Sequence, residues 1–523
     1  MSEVCVAKLR AASVRGVAVV CSWLIFAGCA VGPDYKRPDV KVPESWSASK
    51  DPRIATQTEA EVAWWKGFND PILDKLIDLA YRQNLTLQIG GLRIAEARAQ
   101  LGIATGQQYP QVQEINAGVD AMKLPKQQSA LAGTDSAFFR YQVGFDAVWE
   151  IDLWGKFRRG VEAEAMMLYA TVADYYYALV STTAEVARIY AVIRTFEVLI
   201  DQATSNVVLQ EEALRIAEAR YKNGATSELD VTQAQAQLES TRASIPRLQG
   251  SLLQARNALS TLLGQTPGSV EALLAGPKTI PNAPNKVAIS VPADMLRRRP
   301  DVRAAELYAA AQCARIGVAK AELYPSFSLF GSVGLQNTST GGNFLSSNSL
   351  VFSVGPHISF PFFNYGRITN SVRVQDARFQ QQLVGYKSAV LKAAQEVEDA
   401  LAGFLNSQQA VVFEEKSVTA ATRSEELALV QYREGAVDFE RVLDAQRVLL
   451  QRQNALAQTR SDVVVNVIAL YKSLGGGWQT RQSEPIVSAE TQQEMQERTD
   501  WGDLLEQPRT KKPTQVPPQQ VKH

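Results

Sequence analysis

Only two histidines, His357 and His523, occur in 523 residues, so the sequence offers no imidazole cluster for a metal and no His-based triad. Net charge is also missing, since 54 basic side chains balance 54 acidic ones and leave no global field to attract nucleic acid or an acidic substrate. No phosphate-cradling glycine loop appears; Gly475-Gly476-Gly477 closes a helical pattern and reads as a helix stop. An enzyme is therefore not expected, nor a metal or cofactor. Two stretches lack proline altogether: 156–221 has Gly160 as its only breaker, and 367–432 has Gly385 and Gly403. At ~1.5 Å per residue each would form a helix on the order of 100 Å long. Elongation is thus expected in place of a compact globule.

The N-terminus sets the compartment. Lys8, Arg10 and Arg15 precede an apolar run from Gly16 to Gly28, too short to span a membrane at ~20 residues but suited to a secretory signal. The run ends in Phe26-Ala27-Gly28-Cys29, which resembles a bacterial lipobox with Phe26 in the usual leucine position. Residues 1–28 then form a lipoprotein signal peptide, and Cys29 becomes the acylated N-terminus. Cleavage removes Cys5 and Cys21, leaves Cys313 as the only free thiol, and excludes a disulfide framework within one chain. Cys313 is expected to be a small core residue on a helix.

The chain repeats itself. At an offset of 211, Trp154-Gly155-Lys156 superposes on Tyr365-Gly366-Arg367, and Tyr221-Lys222-Asn223-Gly224-Ala225 on Tyr432-Arg433-Glu434-Gly435-Ala436. Leu263-Gly264 meets Leu474-Gly475 in the same register, while upstream the offset becomes 215 and pairs Tyr109-Pro110 with Tyr324-Pro325. Residues 29–300 and 301–478 are read as two structural repeats, followed by 479–523. The first holds an N-terminal segment, a strand hairpin at 111–153 and a helical hairpin at 156–264. The second holds a strand hairpin at 326–365 and a helical hairpin at 366–475.

Within each half the period changes in the same order. Tyr141, Val143, Phe145, Ala147, Trp149, Ile151 and Leu153 alternate with polar residues, a strand with one wet face. Phe352, Val354, Ile358, Phe360 and Phe362 repeat this, with His357 on the polar side, and Phe327 to Leu335 alternates likewise. Val112 to Met122 alternates poorly, because Glu114 falls on the face of Val112, and a bulge or frayed edge is expected there. Long alternating strands bounded by aromatics such as Trp149, Trp154 and Phe360 to Phe363 read as transmembrane β-barrel strands. Four strands cannot close a barrel, and open edges do not survive in lipid, so copies must associate into eight or twelve strands. In the returning helices an apolar residue recurs every seven: Val231, Leu238, Ile245, Leu252, Leu259, and again Val442, Leu449, Leu456, Val463, Leu470. That period marks coiled-coil packing, with Pro246 expected to kink the first helix.

Four segments carry a family resemblance: Val31-Gly32-Pro33-Asp34-Tyr35-Lys36-Arg37-Pro38, Trp64-Trp65 before Phe68-Asn69-Asp70-Pro71, Leu296-Arg297-Arg298-Arg299-Pro300-Asp301-Val302-Arg303, and Leu474-Gly475-Gly476-Gly477-Trp478. On them the chain resembles the outer membrane factor family, in its lipoprotein branch serving resistance-nodulation-division efflux pumps. Physically, Pro300 opens a helix with Asp301 in its first turn, and the three arginines read as a solvated or ion-paired face. The resemblance implies an α+β membrane protein: a homotrimeric 12-stranded β-barrel with four strands per chain, continued by a long periplasmic α-helical barrel. It also implies an equatorial belt from about 270–295 and after 478; the tail from Gln507 to His523 reads as disordered.

The implied partners are a periplasmic adaptor, an inner-membrane pump of that class and outer-membrane lipid, without nucleic acid. The alternatives are a duct for type I protein secretion and a lipoprotein scaffold without a pore. The paired Gly224-Ala225 and Gly435-Ala436 are candidates for adaptor docking, small residues that let a helix tip approach, though a helix end alone would also call for the glycines. Asp444 and Glu440 lie four apart and share a helix face, so three-fold symmetry would make each a ring of carboxylates. By resemblance these rings form the periplasmic aperture; Arg441 beside Glu440 is a candidate to latch onto Asp230 of a neighbouring chain, the alternative being that all four are ordinary solvated coiled-coil charges.

Overall fold

The computed structural model describes residues 30–56, 62–127, 137–289, 296, 298–338, 344–481 and 484–505. Cys29 and the signal segment, and the tail beyond 505, lie outside the described residues. The elements in order are β1 (Ile54–Thr56), α1 (Pro71–Gln83), α2 (Leu85–Gly106), β2 (Val112–Lys123), β3 (Ala137–Ile151), α3 (Lys156–Lys222) and α4 (Glu228–Leu262). There follow β4 (Val287–Ile289), α5 (Pro300–Ala321), β5 (Ser326–Thr338), β6 (Leu350–Ser359), α6 (Arg367–Arg433), α7 (Phe439–Ser473) and α8 (Ala489–Arg498). Helices α3 and α6 have 67 residues each, and α4 and α7 have 35 each. Among the described residues no helix is long and apolar enough to cross a membrane.

The chain divides into two units. The first, Met1–Asp39, Ile94–Thr171 and Ala305–Tyr386, holds one four-stranded antiparallel sheet in the order β2-β3-β5-β6. Its register lines up whole rows. Ile115, Phe145, Val333 and Phe352 stand side by side across all four strands on one face. Glu114, Asp146, Ser332 and Ser353 do so on the other. Every member of the first row is exposed, Ile115 by 79% and Phe352 by 73%, so the sheet presents a bare apolar face. The opposite face is wet: Arg140 pairs with Asp120 at 2.6 Å, and the Asn116 amide bridges Glu114 and Asp146 at 3.1 and 2.7 Å. His357 lies on this face opposite Ser328, as expected.

Two strand expectations need correction. Strand β2 pairs with β3 without a bulge from Val112 to Lys123, and its apolar side is set by Ile115, Ala117, Val119 and Ala121. Val112 lies on the polar face with Glu114, which is why a phase taken from Val112 looked irregular. The irregularity sits one residue earlier, where the Gln111 side chain exchanges hydrogen bonds with the Glu150 backbone in place of a ladder pair. Strand β6 ends at Ser359, so Phe360 and Phe362 are not strand residues. Pro361 has no N–H for a ladder, and the Phe362 N–H turns back to the Phe360 carbonyl.

The N-terminal strap is clamped within the same unit. The Val31 N–H donates to the Trp154 carbonyl at 2.9 Å, Asp34 pairs with buried Arg159 at 2.6 Å, and Arg37 pairs with Glu306. A side chain at Gly317 would meet the Val31 carbonyl at 2.8 Å, so only glycine lets the strap lie this close to α5. Cys313, buried on α5, reaches the Pro33 carbonyl at 3.5 Å, and burial pushes its thiol up to about 11.

The second unit, Val40–Arg93, Val172–Ala304 and Lys387–His523, is helical apart from the parallel pair β1–β4. Trp64 stacks on Tyr471, Trp65 meets Tyr81 edge-on and Trp478 stacks on Tyr176, so the paired tryptophans anchor a segment against the long helices. Arg194, fully buried, holds Glu197 at 2.7 Å and the Leu274 carbonyl at 3.0 Å. Arg298 is exposed and Arg297 lies outside the described residues, while Arg299 takes the ion-paired of the two readings and is buried. It is 2% exposed and grips Asp301, Glu396 and the Ser473 carbonyl, because Gly475 turns the end of α7 directly onto it. Pro246 sits inside one continuous helix, α4.

Candidate functional site

Helices α3 and α6 end by the same device. At the first reversal the Gly224 N–H donates to Tyr221 O and the Ala225 N–H to Arg220 O; at the second Gly435 donates to Tyr432 O and Ala436 to Gln431 O. These paired bonds are a Schellman cap, which satisfies the last carbonyls and needs a left-handed residue; Gly224 has φ 69° and Gly435 φ 81°. All four small residues are exposed, and nothing lies within 4 Å of where a Gly224 side chain would start. The cap therefore explains why glycine is there, and exposure leaves both turns open to a partner.

A small core holds the ends together. Ala213, Ala217, Ala234, Tyr432, Phe439, Val442 and Leu443 pack as one cluster. At its edge Asp230 accepts from the Tyr432 hydroxyl at 3.1 Å and from the Thr226 hydroxyl. Arg220 lies over the Tyr432 ring at 4.8 Å and donates to the carbonyls of Tyr432 and Arg433. Burial, reinforced by the bond to Asp230, pushes the Tyr432 phenol up to about 12. It therefore stays protonated and donating at every physiological pH.

Glu440, Arg441 and Asp444 stand on the exposed side of α7, opposite Phe439, Val442 and Leu443 in the cluster. Glu440 and Asp444 share that face one turn apart. Within one chain Asp230 is thus engaged by Tyr432 and Thr226, while Arg441 sits on the open face. Sequence reasoning missed Arg220, Thr226 and Tyr432. The available signal was limited to the repeat itself: Arg441 stands in the second half where the first has Asp230, which marks the two ends as unlike without saying which tyrosine Asp230 meets. Higher on the same helices a buried polar layer also escaped notice: Asn206 donates to Gln453 at 2.7 Å, and buried Glu425 accepts from buried Gln446 at 3.4 Å.

This geometry belongs beside known proteins. The profile of a family described as outer membrane efflux protein matches residues 76–265 and 291–476. The chain is 30% identical over 459 residues to the probable outer membrane lipoprotein SilC of Salmonella typhimurium, covering 87% of this chain and 97% of that protein. It is 28% identical over 460 residues to the cation efflux system protein CusC of Escherichia coli O6:H1, covering 88% and 98%. Among solved structures it is similar to the outer-membrane channel OprN, with a TM-score of 0.79 and 34% identity, covering 86% of this chain and 100% of that one.

Proposed function

The chain belongs to the outer membrane efflux protein family, and from that premise we propose that it is the exit duct of a tripartite efflux pump. In this reading it passes drugs, metals or other small molecules from the periplasm to the exterior, delivered by an inner-membrane pump through a periplasmic adaptor. One observation supports it: a four-stranded sheet with a bare apolar face, a polar face and, among the described residues, an outer edge without a partner strand on both β2 and β6. In lipid such edges must pair, and a barrel needs at least ~8 strands, so copies of the chain close it. Three copies make twelve strands, each chain supplying two matched halves, and the long helices continue the tube as a helical barrel. Acylated Cys29 adds an anchor at the outer membrane.

At the periplasmic mouth, rings of Glu440 and Asp444 narrow the closed tube, and the Gly-Ala turns at 224–225 and 435–436 receive the adaptor. Like charges gathered in such rings repel unless a cation or an arginine intervenes. Arg441 of one chain supplies that charge and reaches Asp230 of the next, whose carboxylate Tyr432 already orients. Single-channel recording in planar bilayers tests the assignment. Replacing Glu440 and Asp444 with Ala raises conductance and lowers cation preference with the oligomer intact. Unchanged conductance moves the constriction elsewhere.

A further inference from the structure

One turn beyond the apolar cluster that ties the helix ends together, the core between the four helices turns polar. Gln210 lies three residues before Ala213 on α3, Glu425 three before Ala428 on α6, and Gln446 three after Leu443 on α7, each on the side away from the reversals. Positions three and four apart share a helix face, so all three look inward with the cluster, and Leu238, four after Ala234, takes the same place on α4. Gln210 is 2% exposed, and Glu425, Gln446 and Leu238 are 3% exposed. Gln446 donates to Glu425 at 3.4 Å, yet among the described residues neither end of the Gln210 amide has a partner. A buried amide left so costs free energy at both ends. One turn further along α3, Asn206 meets Gln453 of α7 at 2.7 Å and is satisfied, so the orphan is particular to this layer.

The carboxyl of Glu425 is the group in this layer whose hydrogen bonding a proton can change. Neutral, it offers an O–H donor as well as acceptors; ionised, it only accepts. We propose that Gln210, Glu425 and Gln446 form a proton-controlled clasp, in which neutral Glu425 donates to the Gln210 oxygen, accepts from Gln446 and holds α3, α6 and α7 together beside the mouth. In the structure the Gln446 half of the clasp is made and the Gln210 half is open. Loss of the proton to solvent removes the donor and leaves a charge between Leu238 and the apolar cluster, so the helices part and the mouth widens. The proposal rests on the duct reading and adds to it a regulation by pH, separate from the exposed Glu440 and Asp444.

The surroundings favour the neutral form. Burial, partly offset by the Gln446 amide, holds the Glu425 carboxyl above its usual range. The charged groups at this level are Glu211 and Glu212 of α3, Glu239 and Arg242 of α4, Arg423 and Glu426 of α6, and Asp444 and Arg447 of α7, and none of them is buried. Most are engaged on the outer sides of the helices: Arg242 holds Glu211 and Glu239 at 2.6 and 2.7 Å, Arg423 holds Glu426 at 2.9 Å, Arg433 reaches Glu212 at 3.5 Å, and Arg447 donates to Gln237 at 3.0 Å. Of these, Glu426 acts on the Glu425 carboxyl, and it too raises it. A raised value means that the clasp holds at low pH and is released as pH climbs through the folded-state value.

Single-channel recording of the full chain across pH, together with thermal unfolding in detergent, tests the clasp. The parent's ratio of open to closed rises as pH climbs through the Glu425 titration, about tenfold for each pH unit by which the carboxyl's value differs between the two forms. Glu425→Gln, neutral at every pH and still able to donate to Gln210 and accept from Gln446, holds the ratio at its low-pH level throughout. Gln210→Leu, lacking the acceptor, lifts the low-pH ratio toward the parent's high-pH one, and Gln210→Ala replaces it if leucine prevents assembly. Unfolding of Gln210→Leu, Glu425→Leu and the double variant shows a coupling between the two positions at low pH that vanishes at high pH, which packing alone would not produce. A Glu425→Gln channel that keeps the parent's pH profile, or a coupling absent or unchanged by pH, overturns the clasp, while a conducting parent leaves the duct reading standing. A parent that never conducts overturns the duct reading, and the coupling then decides the clasp by itself.

Discussion

Tyr432 and Tyr221 occupy matched places at the ends of the two 67-residue helices, yet Tyr432 is 1% exposed and Tyr221 46%. The same divergence runs along the returning helices. In α7 all five residues of the seven-residue repeat, Val442 to Leu470, are buried; in α4 only Leu238 and Leu259 are, with Ile245 and Leu252 half-buried. The two halves share backbone and differ in what each finds beside it in its own chain. The second half's stripe is covered within the chain, and the first half's is in part left exposed.

The sharpest contrast lies at the far ends of these helices. Asn84 donates to the Leu262 carbonyl at 2.7 Å, and in the corresponding place Arg299 donates to the Ser473 carbonyl at 2.8 Å. Asn84 is neutral and also caps Leu87, whereas Arg299 additionally holds two carboxylates. Removing Arg299 therefore orphans more. Arg299→Ala should cost about 3 kcal/mol and Asn84→Ala about 1 kcal/mol, measured by thermal unfolding in detergent. Equal losses would break the comparison.

A smaller effect is expected at the two helix reversals. Tyr432→Phe deletes the hydroxyl that holds Asp230, worth about 1 kcal/mol, and should lengthen open time roughly fivefold in bilayer recordings. Tyr221→Phe should change nothing, since its hydroxyl belongs to an exposed side chain.

The smallest concerns Glu425, whose counterpart in the first half is Leu214. Burial, partly offset by the Gln446 amide, holds the Glu425 carboxyl above its usual range. A raised folded-state value means stability that is fully present below the unfolded-state value and lost as pH rises through the folded one. Glu425→Gln should therefore gain about 0.5 kcal/mol once pH exceeds the folded-state value, and remove the loss of stability between the unfolded and folded values. A stability loss at neutral pH would show that the charged form is the favoured one.

The two 67-residue helices were legible almost to the residue, whereas α1, α2 and α8 were not read. Lys156 to Tyr221 was expected and Lys156–Lys222 is found, because uninterrupted helix-forming sequence meets a glycine that can take the cap. The strands were legible where apolar and polar residues alternate strictly, and less so where Gln111 replaces a ladder pair or Pro361 ends one. The glycine turns of the candidate site were visible, but the Arg220, Tyr432 and Asp230 network was not. Those residues lie more than 200 positions apart in part, and only the packing of four helix ends decides which of them meet. The ion pairing of Arg299 was among the two readings of its motif, but its burial was not, since only the turn at Gly475 closes over it.

The duct reading rests on copies of the chain closing the sheet. Native mass measurement of the detergent-extracted protein tests this most directly: three chains and no stable monomer are expected, and a stable monomer that still conducts in a planar bilayer would contradict it.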